Sequence, residues 1–181
     1  MNIVLMHKLN KKQLNDAAII LSDSLPNGWP TPKDAHDEIK QLLKSENHYM
    51  IAAVEKDIVL GWAGILEPIY NGNVVELHPL VVKANHRGQG IGKTLVLNLE
   101  NEAKNRGCLT IYLGSDDETE PGETSLAHVD LYADLPYHIK NFKSGTHPSG
   151  FYLHMGYKII GVMPDANGIG KPDIMFGKRL K

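Results

Sequence analysis

The chain has one cysteine, no long apolar run and no excess of basic charge, and each absence narrows what it can be. A single Cys108 in 181 residues excludes an internal disulfide framework and fits a reducing compartment. At the head of an apolar stretch it reads as a buried, inert thiol. No apolar segment approaches the roughly 18 residues of a membrane span, and Met1 to Leu9 carries no signal-peptide pattern. The expected location is therefore the cytoplasm, with no membrane partner. A net charge of -2 and a pI near 6.5 offer no footprint for nucleic acid. The nine histidines form no His-Glu-x-x-His pair and have no cysteine partners at ligand spacing, so no metal is expected. No Gly-x-Ser-x-Gly elbow signals a serine nucleophile.

What is present centres on Glu76 to Arg106. The β-branched and aliphatic run Leu80-Val81-Val82 predicts a strand. After a polar turn, Ile91, Leu95, Leu99 and Ala103 recur every four residues and predict a helix over 93–106 stopped at Gly107. The turn spells Arg87-Gly88-Gln89-Gly90-Ile91-Gly92. Alternate glycines running into a helix N-terminus let backbone N–H groups converge on an anion, and phosphate or pyrophosphate is the natural ligand. A dinucleotide fingerprint fails, because the third glycine position from Gly88 is Lys93 and from Gly90 is Leu95. A Walker A loop fails because Arg87 stands where its first glycine is required.

The pattern Arg-x-x-Gly-x-Gly does fit, and here the chain resembles the GNAT superfamily of acetyl-CoA-dependent N-acetyltransferases. Around this centre the periodicity predicts a strand over 2–9, helices over 11–25 and 33–44, and a meander of strands over 48–54, 58–66 and 74–82. Further strands follow over 108–113, 157–162 and 173–180, with a helix start at Asp134-Pro136 and a short helix over 149–155. The expected fold is mixed α/β of the GNAT type: a central, mostly antiparallel seven-stranded sheet flanked by helices, one domain over 1–181. Pro79, which has no N–H for the ladder and belongs at edges or bulges, is expected to interrupt its strand and splay the sheet.

Acetyl transfer from a thioester needs an amine stripped of its proton, an oxyanion donor and an acid near the leaving sulfur. Glu76 and His78 lie two apart on one strand face, so Glu76 is a candidate to bind the ammonium and take or relay its proton, and His78 a second candidate. The N–H of Leu80 is a candidate oxyanion donor. For the acid, the resemblance to the superfamily points to the Phe151-Tyr152 pair, where a tyrosine would reach the coenzyme sulfur; the alternative is that Phe151, Tyr152 and Met155 are simply the helix's core face. Of the two aromatics, Tyr152 is expected to point away from that face. Trp29, in a loop with three prolines, reads either as a side chain folded back on the helices or as a wall over the substrate. The acids from Asp116 through Asp117, Glu118 and Glu120 to Glu123 read either as a solvated loop or, because they follow a strand beside the phosphate loop, as a rim that would attract a cation.

Over the last 110 or so residues the resemblance narrows. Val75-Glu76-Leu77-His78-Pro79-Leu80-Val81-Val82, Thr110 to Asp117, Asp130-Leu131-Tyr132, His147-Pro148 with Phe151-Tyr152, and Gly156 to Val162 are similar to the aminoglycoside 6'-N-acetyltransferases. So are Pro164 to Gly168 and Lys171 to Ile174, and Trp29-Pro30 extends the match. The resemblance implies acetylation of the 6'-amine of a polycationic aminoglycoside. It implies that Glu76, Asp116, Asp117 and Glu120 hold the drug, with Trp29 and Tyr70 bordering it. It further implies that Leu80, Val81 and Val82 contact pantetheine, that Arg87, Gly88, Gln89, Gly90, Ile91, Gly92 and Lys93 hold the pyrophosphate, and that Tyr152 lies near the sulfur of acetyl-CoA. A homodimer is implied as well. The loop after Asp117 looks lengthened relative to that family. Two other readings stand beside this one: an acetyltransferase of a polyamine or other cellular amine, and a non-catalytic acetyl-CoA-binding module.

Overall fold

The computed structural model describes all 181 residues, which cluster into two compact units, 1–111 with 180–181 and 112–179. In the first unit β1 (Asn2–Leu5), β2 (Tyr49–Glu55), β3 (Ile58–Ile65) and β4 (Val74–Val82) pair as consecutive antiparallel ladders. Helices α1 (Lys11–Ser24), α2 (Pro32–Leu42) and α3 (Ile91–Asn105) complete it. Strand β5 (Thr110–Asp116) begins in the first unit and ends in the second. The second unit adds α4 (Leu135–Lys140), α5 (Ser149–His154) and the antiparallel pair β6 (Lys158–Met163) and β7 (Asp173–Arg179). Strand order is β1-β2-β3-β4-β5-β7-β6, a mixed α/β, seven-stranded arrangement of the expected class. No helix is long and apolar enough to cross a membrane.

Local chemistry explains most boundaries. Asn10 and Thr31 each close a reciprocal capping box with Gln13 and Asp34, and Pro32 takes the first helical position, where a missing N–H costs nothing. Each such cap contributes about 1 kcal/mol. Lys56 and Asp57 both have positive φ, the two-residue hairpin geometry that matches strand twist, and join β2 to β3. Trp62 is fully buried and packs with Leu21, Ala17, Ile39 and Val81, while its indole N–H donates to the carbonyl of Ala17 at 3.0 Å. Burying side chains of this size stabilises by about 1.5–3 kcal/mol each. The half-buried Trp29 packs against this same cluster.

Three boundaries differ from expectation in ways that matter for a site. The central helix starts at Ile91, because Gly90 adopts the left-handed conformation as its N-cap; Ile91, Gly92 and Lys93 thus form its first turn. Strand β5 runs on to Asp116, so that acid belongs to a strand. Pro79 does not interrupt β4. The ladder from Ala63↔Leu80 to Ile65↔Leu77 advances two residues on β3 and three on β4, so a bulge absorbs the residue that cannot donate to the ladder.

Candidate active site

In the first unit, burial alternates along β4. Val75, Leu77, Pro79 and Val81 are buried, whereas Glu76, His78, Leu80 and Val82 are half-buried. The bulge reverses which residues face which side: Val81 pairs with Trp62 and Leu77 with Ile65, three apart on β3 and hence on opposite faces. Glu76 therefore shares the face of Trp62 and Val81, which α1 and α2 cover. Above it the ring of His78 lies 5.8 Å from that of Trp29, tilted by 51°. Trp29 thus folds back on the helices, the first of its two readings, and its ring also borders His78. Tyr70 sits at the β3–β4 turn with φ of 51° and 74% of its surface exposed. A bulky residue held in the left-handed region costs about 1–2 kcal/mol, and the turn is secured by Gly72 N–H and Val74 N–H donating to the Ile69 carbonyl.

The phosphate loop has the backbone that its glycines predict. Gly88 and Gly90 have φ of 75° and 81°, and a Cβ placed on either would have no neighbour within 4 Å. The conformation, not crowding, requires glycine, and the space over the loop is open. No side chain caps α3, so its first turn presents backbone donors at the positive end of a 15-residue helix, a fit for pyrophosphate. Arg87 is partly committed elsewhere: Nε donates to the Val82 carbonyl at 3.1 Å and a terminal nitrogen to Ser24 Oγ at 3.2 Å, bracing the loop against β4 and α1. It borders a cavity of about 340 Å³ with Lys83, Asn85, Asp23 and Ile19. Gln89, Gly90 and Lys93 are exposed.

In the second unit the acids are engaged with their own surroundings. Asp117 is fully buried; its carboxylate accepts the N–H of Glu123 at 2.9 Å and of Thr124 at 2.8 Å. Burial alone would raise its pKa, but these N–H groups and the Thr124 hydroxyl outweigh burial and hold it below the ordinary value. Asp117 fixes the loop, and in this conformation its oxygens face backbone. Glu120 pairs with Lys171 at 3.3 Å and His128 at 3.4 Å. Asp116 is exposed, with one carboxylate oxygen taking a hydrogen bond from Asn167 at 2.6 Å.

Tyr152 on α5 is 8% exposed and lies among Phe151, Tyr157 and Phe176. This corrects the expected orientation: of the two aromatics, Tyr152 turns inward and Phe151 is the half-buried one. A six-residue helix ending at Gly156 with positive φ offers one buried face, and the stack with Phe176 claims it for Tyr152. Burial pushes the phenol well above its usual pKa, so it stays protonated through the neutral range. Cys108 is buried and its thiol is likewise pushed up, consistent with an inert side chain.

The profile of the Acetyltransferase (GNAT) family matches residues 14–128. The chain belongs to the GNAT acetyltransferase family. Acetyl-CoA is its acyl donor, and the open phosphate loop ahead of α3 suits it. Among solved structures, an aminoglycoside 6'-N-acetyltransferase complexed with coenzyme A is 34% identical, with a TM-score of 0.91 over 100% of this chain and 98% of that one. The aminoglycoside 6'-N-acetyltransferase from Enterococcus faecium gives 34% and 0.89 over the same shares. An aminoglycoside 6'-acetyltransferase type Ii gives 31% and 0.76, again over 100% and 98%. A curated relative from Bacillus methanolicus, an uncharacterized N-acetyltransferase in the lysA 3' region, is 29% identical over 66% of this chain and 88% of its own.

Sequence reasoning missed the partners that engage the acids of this GNAT enzyme: Asn167 on Asp116, and Lys171 and His128 on Glu120. Lys171 and Asn167 lie some fifty residues from the acids they meet. Only the polar turn from Pro164 to Pro172 hinted at them.

Proposed function

We propose that the protein acetylates the 6'-amino group of aminoglycoside antibiotics with acetyl-CoA by direct transfer, and so confers resistance. The observation that carries this reading is the likeness to three 6'-acetyltransferase structures at 31–34% identity over the whole chain. Supporting it is a β4 face that combines Glu76 and His78 beneath an aromatic wall from Trp29. We take residues 1–181 as one catalytic domain.

In this account Glu76 binds the incoming ammonium, whose pKa of about 10 leaves it charged at neutral pH, and accepts its proton directly or through water. His78, held against Trp29, lines the same face and helps to orient the amine. The Leu80 N–H donates to the thioester oxygen as charge develops there, and the backbone of Val81 and Val82 aligns the pantetheine. Gly88 to Lys93 hold the pyrophosphate, with Arg87 bracing the loop. Tyr152 donates a hydrogen bond to the departing sulfur. Burial keeps its phenol protonated at neutral pH, so the O–H remains a donor. Asp116 offers its carboxylate to a further ammonium of the drug, and Tyr70 borders it. Asp117 and Glu120 serve the drug indirectly by shaping that loop.

A homodimer in the cytoplasm completes the proposal. Exposed Ile160 and Met163 on β6, the last strand in the sheet order, support a self-association surface. The test is thiol release from acetyl-CoA with kanamycin A, its 6'-hydroxyl analogue and spermidine. Turnover that requires the 6'-amine supports the drug reading. Turnover on spermidine alone assigns a polyamine enzyme, and coenzyme binding without turnover assigns a binding module.

A further inference from the structure

His147 is 4% exposed in the second unit, and both of its ring nitrogens are engaged. Nδ1 accepts the Ser149 N–H at 3.3 Å, so the proton resides on Nε2, which donates to the Asp116 carbonyl at 2.9 Å. The backbone around it is tied as well: His147 N–H donates to Ser144 and Gly150 N–H donates to His147, at 3.0 and 3.2 Å. One imidazole thus joins the first residue of α5 to the last residue of β5. Three residues after Ser149 stands Tyr152. The carboxylate of that last strand residue, Asp116, is held at its other side by Asn167 at 2.6 Å. Asp117 lies within electrostatic reach of the ring, but its own oxygens are occupied by Glu123 and Thr124.

We infer that His147 is a positioning residue for acetyl transfer: it couples the helix that carries Tyr152 to the strand end that carries Asp116, fixing the sulfur donor and the ammonium anchor in one register. The inference rests on the roles given above to Tyr152 and Asp116. His147 touches no reacting atom. It acts by denying two independent motions, and a misplacement of about 1 Å in such a pair costs on the order of 100-fold in rate. An apolar ring of similar size would keep the packing but leave the Asp116 carbonyl and the Ser149 N–H without their partners. Glutamine, whose amide can donate to the Asp116 carbonyl, restores the β5 link.

The experiment compares wild type, His147→Phe and His147→Gln in steady state with kanamycin A, and reads the tautomer of His147 in the wild type by ¹⁵N NMR. The expected tautomer carries its proton on Nε2. In His147→Phe, kcat should fall on the order of 10- to 100-fold and the acceptor KM should rise, while the acetyl-CoA KM stays within about twofold. His147→Gln should recover most of kcat. Equal impairment of both variants, an acetyl-CoA KM that rises in step, or a proton on Nδ1 overturns the inference; should His147→Phe fail to fold, the Gln variant and the tautomer still decide it. A wild type that acetylates spermidine and no 6'-amine removes the drug reading alone, and the same comparison then runs on spermidine. A wild type that acetylates neither overturns both.

Discussion

The stretch from Val74 to Gly92 and the stretch from Asp116 to Glu123 both look like binding chemistry in sequence, yet one is defined by its backbone and the other by the partners of its carboxylates. The first is built on backbone conformation, with Arg87 bracing it through Val82 and Ser24. Gly88 and Gly90 open a backbone cradle ahead of an uncapped helix, and the β4 face holds Glu76 half-buried. The second turns inward: Asp117 accepts backbone N–H groups of its own loop, Glu120 is paired with Lys171 and His128, and Asp116 accepts from Asn167. A glycine pattern specifies a local conformation and is legible in one stretch of chain. A carboxylate's role depends on what meets it from elsewhere.

That comparison can be broken by substitution. The largest effect is expected from Glu76→Ala, which should lower kcat/KM for the acceptor by roughly 10²–10⁴-fold while acetyl-CoA affinity, measured by calorimetry, stays within about twofold. Equal losses on both substrates would take Glu76 out of the acceptor site. Next is Asp117→Ala, which leaves two loop N–H groups without an acceptor and should cost about 1–3 kcal/mol in denaturant unfolding. Because the folded pKa of Asp117 is depressed, its contribution is present above the unfolded value of about 3.9 and is lost as pH falls through the folded value. Acid unfolding of Asp117→Asn should therefore be less steep below pH about 4 than that of the wild type.

Gly90→Ala should be milder for stability, at about 1 kcal/mol, since φ of 81° disfavours any side chain. It should raise the acetyl-CoA KM and leave the aminoglycoside KM unchanged, the reverse of the Glu76 pattern. The smallest effect belongs to Glu120→Gln. Its own side chain is 67% accessible, and those of Lys171 and His128 are 27% and 42% accessible, so thermal unfolding should register under about 1 kcal/mol. An aminoglycoside KM altered tenfold by this change would show that Glu120 leaves Lys171 to meet the drug.

Much of the fold is legible in the amino-acid sequence, because the features concerned depend on residues within a few positions of one another. The switch from strand to helix around Arg87 to Gly92, the helix starts after Asn10 and at Asp134, the left-handed stops at Gly107 and Gly156 and the turn at Tyr70 to Asn73 are of this kind. Periodicity places the start of α3 two residues late, since a glycine N-cap has no side chain to announce it. Pro79 reads as the mark of an edge or a bulge that interrupts the strand; a bulge is there, but one unpaired residue suffices to keep β4 continuous. Spacing does not tell Tyr152 from Phe151, since the choice is made by Phe176 on β7. The bond from His147 to Asp116 spans 31 residues and has no local signal at all.

The most direct test of the central claim is the structure of the product. Kanamycin A turned over with acetyl-CoA should yield a single monoacetylated species, and two-dimensional NMR should find the new amide at the 6'-nitrogen, with the 6'-methylene protons shifted downfield. An acetyl group on any other nitrogen of the drug, or acetylation of spermidine with the drug left intact, would contradict the account.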